Sequence, residues 1–66
     1  MLDNCYIRDK YIYSTGKGET VAYFFNNYIY DIKTNSCDFY LRGKYIYSMK
    51  DGICKFYISN RYIYKM

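Results

Sequence analysis

The sequence predicts an all-β fold: an antiparallel up-and-down meander of four 17-residue β-hairpin repeats, with about eight short strands. Three observations predict it. Tyr-Ile-Tyr recurs at 11–13, 28–30, 45–47 and 62–64, always 17 residues apart. A further tyrosine (Tyr6, Tyr23, Tyr40 or Tyr57) precedes each copy by five positions, so one pattern accounts for all 12 tyrosines. Turn-forming residues interrupt the aromatic segments every eight or nine positions, a spacing that suits strands and leaves no room for helices.

Each element follows from local chemistry. The first strand is expected over 3–8 and the second over 11–15. Asp9-Lys10 joins them as a tight turn, because Asp tolerates the positive φ such a turn needs at its first position. Gly16-Lys17-Gly18 then forms a three-residue hairpin loop that closes on a left-handed residue. Unit two repeats the plan, with strands 19–25 and 28–32 around Asn26-Asn27, followed by Lys33-Thr34-Asn35. Unit three has strands 36–42 and 45–49 around Gly43-Lys44, followed by Lys50-Asp51-Gly52. Unit four has strands 53–59 and 62–65 around Asn60-Arg61. The units span 1–17, 18–34, 35–51 and 52–66, and at 66 residues they form a single domain.

Alternation of side chains along a strand sorts the residues onto two faces. One face carries Cys5, Ala22, Cys37, Phe39, Cys54 and Phe56, together with an apolar row of Ile7, Ile12, Phe24, Ile29, Leu41, Ile46, Ile58 and Ile63. The other carries every tyrosine, plus Arg8, Phe25, Arg42 and Ser59 beside the tight turns. The aliphatic face is the natural core, and a single open sheet leaves it wet. The sheet must therefore curl, close into a barrel or be completed by oligomerisation. Units 1 and 3 also share Arg-x-Lys-Tyr-Ile-Tyr-Ser (8–14 and 42–48), a fainter 34-residue period with the four-strand content of a propeller blade. Blade-like units assembled from several chains are the alternative to closure, and a homo-oligomer is expected.

Composition narrows the function classes. Phe, Tyr, Met, Ile, Asn and Lys supply 39 residues, whereas Gly, Ala, Arg and Pro supply 8, which points to an AT-rich coding sequence. No signal peptide is visible and the longest apolar run, 21–25, is far short of a membrane helix, so a cytoplasmic location, in its own cell or a host's, and no membrane partner are expected. The chain has no histidine. Its acids (Asp3, Asp9, Glu19, Asp31, Asp38 and Asp51) fall at scattered columns, and no nucleophile has a base beside it, so no enzymatic activity is expected. Three cysteines without Cys-x-x-Cys make a poor metal pattern, and no metal or cofactor is expected. Cys37 and Cys54 stand two strands apart, roughly 9–10 Å, which is beyond the reach of a disulfide. Ser14–Thr20 lacks the spacing of a phosphate-binding loop and reads as an ordinary hairpin loop.

What remains is a recognition surface. The candidate binding residues are Tyr6, Tyr11, Tyr13, Tyr23, Tyr28, Tyr30, Tyr40, Tyr45, Tyr47, Tyr57, Tyr62 and Tyr64 on the aromatic face, with Arg8, Arg42 and Arg61 at the tight turns. Tyrosine and arginine are over-represented at interface hot spots, and tyrosine loses little entropy on binding. Arg8 and Arg42 face Tyr11 and Tyr45 across a turn, where guanidinium and ring can stack. Arg8, Lys10, Arg42, Lys44 and Arg61 lie at that end against Asp9 alone, so it holds the whole net charge of +4. The other five lysines offset the other five acids.

The stretch Tyr45-Ile46-Tyr47-Ser48-Met49-Lys50-Asp51-Gly52 resembles the aromatic hairpin repeats of bacterial cell-wall (choline or glucan) binding modules, although this chain has no tryptophan. That resemblance implies a glycan-binding alternative. The reading from the residues is a non-enzymatic binding protein whose tyrosine face and basic rim engage a protein or an anionic surface, as a phage- or mobile-element-type blocker or adaptor would. Nucleic-acid binding, through bases stacked beside a basic groove, and self-assembly into a structural subunit are the other readings.

Overall fold

Eight strands are present in the computed structural model, which describes residues 2–66: β1 (Cys5–Arg8), β2 (Tyr11–Ser14), β3 (Thr20–Phe25), β4 (Tyr28–Asp31), β5 (Cys37–Arg42), β6 (Tyr45–Ser48), β7 (Cys54–Ser59) and β8 (Tyr62–Lys65). They pair antiparallel in chain order, and β8 pairs with β1, so the meander closes into a barrel within one chain. Closure therefore covers the aliphatic face without blade-like units or a second copy. Among the described residues no helix is long and apolar enough to cross a membrane.

The tight turns fall where the dipeptides predict. Asn26 and Asn27 both have positive φ (51° and 69°), as do Asn60 and Arg61 (51° and 72°), while Asp9 (58°) and Gly43 (63°) have it at the first position. Turns of this hand match the right-handed twist of the flanking strands. The wider loops close on Gly18, Asn35 and Gly52, also at positive φ.

These loops are wider than the three residues expected. The N–H groups of Ser14, Asp31 and Ser48 donate to the carbonyls of Glu19, Ser36 and Ile53 at 2.8, 2.9 and 3.0 Å, and those of Gly18, Asn35 and Gly52 donate back to the carbonyls of Ser14, Asp31 and Ser48. The cause is a register shift, repeated between Ile12 and Tyr13, Ile29 and Tyr30, and Ile46 and Tyr47. It leaves Val21, Asp38 and Lys55 as extra residues on β3, β5 and β7, the geometry of a β-bulge. Strict alternation does not anticipate a bulge, so most of the expected strands run one residue too far into the loops. The bulge also overturns one assignment. Cys37 and Cys54 are opposite Tyr30 and Tyr47, where unbroken alternation sets them opposite Asp31 and Ser48, and both are half-buried instead of lying in the core. The three cysteines form no disulfide.

One backbone bond shows why the barrel closes where it does. The N–H of Phe24 donates to the carbonyl of Lys10 (2.7 Å), Leu41 to Asn27 (2.7 Å) and Ile58 to Lys44 (2.8 Å), each joining one unit to the next. Ile7 donates to Arg61 at 2.7 Å in the same way. The seam between β8 and β1 is thus the fourth copy of the inter-unit contact, made without a connecting loop.

The interior is filled by columns of side chains at the 17-residue period, as expected for an eight-strand barrel with no lumen. Ile12, Ile29, Ile46 and Ile63 form the centre and are 0–1% exposed. Burying each contributes about 1.5–3 kcal/mol. Ile7, Phe24, Leu41 and Ile58 pack against them on the tight-turn side, each opposite the isoleucine of its own hairpin. Cys5, Ala22, Phe39 and Phe56 occupy the loop side, with the Phe39 and Phe56 rings edge to face at 5.6 Å.

Candidate functional site

The tyrosines lie outside the barrel in two populations. Eight form one stacked pair per hairpin: Tyr6–Tyr13, Tyr23–Tyr30, Tyr40–Tyr47 and Tyr57–Tyr64, with centroids 5.3–5.4 Å apart and planes 13–27° from parallel. Within each pair the residues are direct cross-strand partners, the positions at which aromatic rings stabilise a sheet. All eight but Tyr64 are half-buried. The Tyr23 hydroxyl also donates to the Asn35 side-chain carbonyl, tying the sheet to a loop. These pairs act as an outer layer over the sheet.

The remaining four, Tyr11, Tyr28, Tyr45 and Tyr62, follow the tight turns and are 36–48% exposed. Their cross-strand partners are Arg8, Phe25, Arg42 and Ser59. Closure arranges these four pairs as a ring around the tight-turn end. Phe25, 60% exposed, adds a fifth aromatic. The expected partnership of Arg8 and Arg42 with Tyr11 and Tyr45 is present as strand register. The cations over the rings, however, are the turn lysines: Lys10 stands 5.7 Å from the Tyr11 centroid and Lys44 stands 5.7 Å from the Tyr45 centroid. The guanidiniums therefore extend the basic surface beside the rings. Lys10, Lys44 and Phe25 were absent from the candidate residues. The signal for the two lysines is the recurring Lys-Tyr step at 10–11 and 44–45.

Closure adds one juxtaposition that sequence distance hides. Arg61, on the last turn, is brought beside β1, where Ile7, Arg8, Asp9 and Arg61 line a shared depression. Two guanidiniums and one carboxylate meet there, so cations from the first and last units share one patch of the rim. The rim also has an uncharged sector, formed by Phe25, Asn26, Asn27 and Tyr28. The opposite end of the barrel is neutral. There Asp31 accepts the N–H groups of Lys33 and Thr34 at 2.8 and 3.0 Å, and these bonds hold its carboxyl below the usual carboxylate range. Asp51 accepts the N–H of Ile53 and pairs with Lys55 at 3.6 Å, and its carboxyl is lowered in the same way.

Among the described residues no cluster of three or more metal-ligating side chains is placed to hold an ion. No protein-family model, curated protein or solved structure matches the chain.

Proposed function

We propose that the chain is a non-enzymatic binding protein that engages an acidic protein surface through its tight-turn end. The observation that supports this reading most is the ring of four exposed tyrosines and Phe25 interleaved with Arg8, Lys10, Arg42, Lys44 and Arg61. The aromatics offer rigid apolar area with few rotatable bonds, the composition of a hot spot. The surrounding cations select an acidic partner and raise its rate of encounter. The stacked tyrosine pairs support this surface and contribute less themselves, because each ring already covers its neighbour.

The test is retention of a partner from a cell lysate on immobilised protein, followed by affinity measurement with the purified partner. Arg8→Glu with Arg42→Glu is expected to abolish retention and leave the fold intact. Lys33→Glu with Lys50→Glu at the neutral end is expected to change only the rate of association. Equal effects of the two pairs would reduce the charge asymmetry to solubility. Loss on Tyr11→Ala with Tyr28→Ala, with no effect of the arginine reversals and no salt dependence, would favour a glycan. A steep fall in affinity with salt for single-stranded oligonucleotides would favour nucleic acid.

A further inference from the structure

The loop end of the barrel holds a cavity of about 320 Å³, within the range of small-ligand sites. Its floor is Ile29 and Ala22, and its walls include Phe39 and Leu2. Side-chain size along one column leaves room for it. The column is Cys5, Ala22, Phe39 and Phe56, and at the cavity a methyl stands where the next two units carry a ring.

Carboxylates gather at the mouth of this cavity. Glu19, Asp31 and Asp38 are three of the chain's six acids, and all three line it, against Lys33 as the one cation among the described residues. None of their repeat equivalents is an acid: Leu2, Ser36 and Ile53 match Glu19; Ser14, Ser48 and Lys65 match Asp31; Asn4, Val21 and Lys55 match Asp38. Asp31 commits Oδ1 to the backbone of its own loop. Asp38 accepts the Ser36 hydroxyl at 3.3 Å on each oxygen, a long and weak bond. Three carboxylates against one ammonium leave the described lining with a net negative charge, even with Lys33 acting on Asp31.

We propose that this cavity binds a small organic cation, an apolar body of on the order of ten non-hydrogen atoms carrying an ammonium group. The cavity is larger than a single lysine stem fills, which favours a free small molecule over a partner's side chain. The apolar floor takes the body, and the three carboxylates take the ammonium. The cavity is at the opposite end from the basic rim, so this site is independent of the protein-binding reading.

Amide NMR titration of the full chain tests it, with 2-phenylethylamine as the probe and 2-phenylethanol and phenylacetate as neutral and anionic controls. The amine is expected to give saturable shifts confined to residues around Ala22, Ile29 and Phe39, with the alcohol about tenfold weaker and the acid without effect. Ala22→Phe is expected to remove amine binding and keep the fold, since the equivalent columns already hold rings. Glu19→Gln with Asp38→Asn, both at the mouth and tolerant of substitution, is expected to reduce the amine to the level of the alcohol. The proposal is overturned if the alcohol binds as tightly as the amine, if the doubly neutralised variant binds the amine unchanged, or if no probe gives saturable shifts at millimolar concentration.

Discussion

Arg61 has φ 72°, a left-handed conformation that residues other than Gly, Asn and Asp seldom adopt. The cost is about 1 kcal/mol, and the position also supplies one of the two guanidiniums at the seam. Arg61→Gly is therefore expected to raise stability by about 1 kcal/mol in urea denaturation and to weaken the affinity for the protein partner. A variant that loses stability would show that the Arg61 side chain itself supports the turn. The thiols differ residue by residue as well. Cys5 is buried, and burial pushes its thiol up, whereas Cys37 and Cys54 are half-buried at the bulges. A thiol reagent is expected to modify Cys37 and Cys54 in the folded protein and Cys5 only after denaturation. Because the folded value of Cys5 is raised, its contribution to stability is complete below the ordinary thiol pKa and is lost as pH rises through the raised value.

At the scale of the hairpin, the β4–β5 loop is held by the Asp31 carboxylate, and the β6–β7 loop by Asp51. Both carboxyls have folded values below their unfolded ones. Their stabilisation is present above about pH 4 and declines as pH falls through the lowered values. Asp31→Ala is expected to lower the melting temperature at pH 7 and to lower it less at a pH well below 4, as the wild-type carboxyl takes up its proton. An equal loss at both values would assign the effect to packing. The tyrosine pairs belong to this scale. A double-mutant cycle on Tyr40 and Tyr47 is expected to give a coupling of about 0.5–1.5 kcal/mol, since the rings stack at 5.3 Å and 13°. The same cycle on Tyr28 and Tyr47, in different pairs, should give none.

For the whole molecule, the decisive feature is that the seam repeats the inter-unit bond. The chain is two residues short of four full periods, so a two-residue linker between its ends supplies the missing loop length. A circular permutant with that linker, opened between Gly16 and Lys17 in the β2–β3 loop, is expected to fold to the same barrel with an equal or higher melting temperature. A permutant that fails to fold would show that β1 and β8 meet by a route the other units do not share. Closure also bears on self-association. With the aliphatic face covered, the exposed aromatics of the tight-turn end are one apolar surface left for it, and Ile32, Met49 and Ile53 on the loops are another. If copies associate through the first, Tyr11→Ala with Tyr28→Ala should therefore lower the mass measured by light scattering, whereas Ile46→Ala should lower stability by about 2–5 kcal/mol without changing that mass in the folded state.

The strand order, the positions of all four tight turns and the division into aliphatic and tyrosine faces were legible in the sequence. Each depends on local chemistry: Asn, Asp or Gly at positive φ, and side chains that alternate along a strand. The 17-residue period then repeats that local signal four times. Tertiary structure alone decided that the sheet closes within one chain, because the β8–β1 seam is a contact between the two ends of the chain that no local pattern encodes. It also decided the bulges, which moved Cys37 and Cys54 out of the core. The bulge depends on how twisted neighbouring strands meet around a small barrel, and alternation within one strand carries no trace of that. The candidate site divides along the same line. The three arginines and the four exposed tyrosines were readable as residue types at turns. Their arrangement in a ring and the meeting of Arg8 with Arg61 exist only because a closed sheet brings separate units side by side, and the cavity beside Glu19, Asp31 and Asp38 is built where β3, β4 and β5 adjoin.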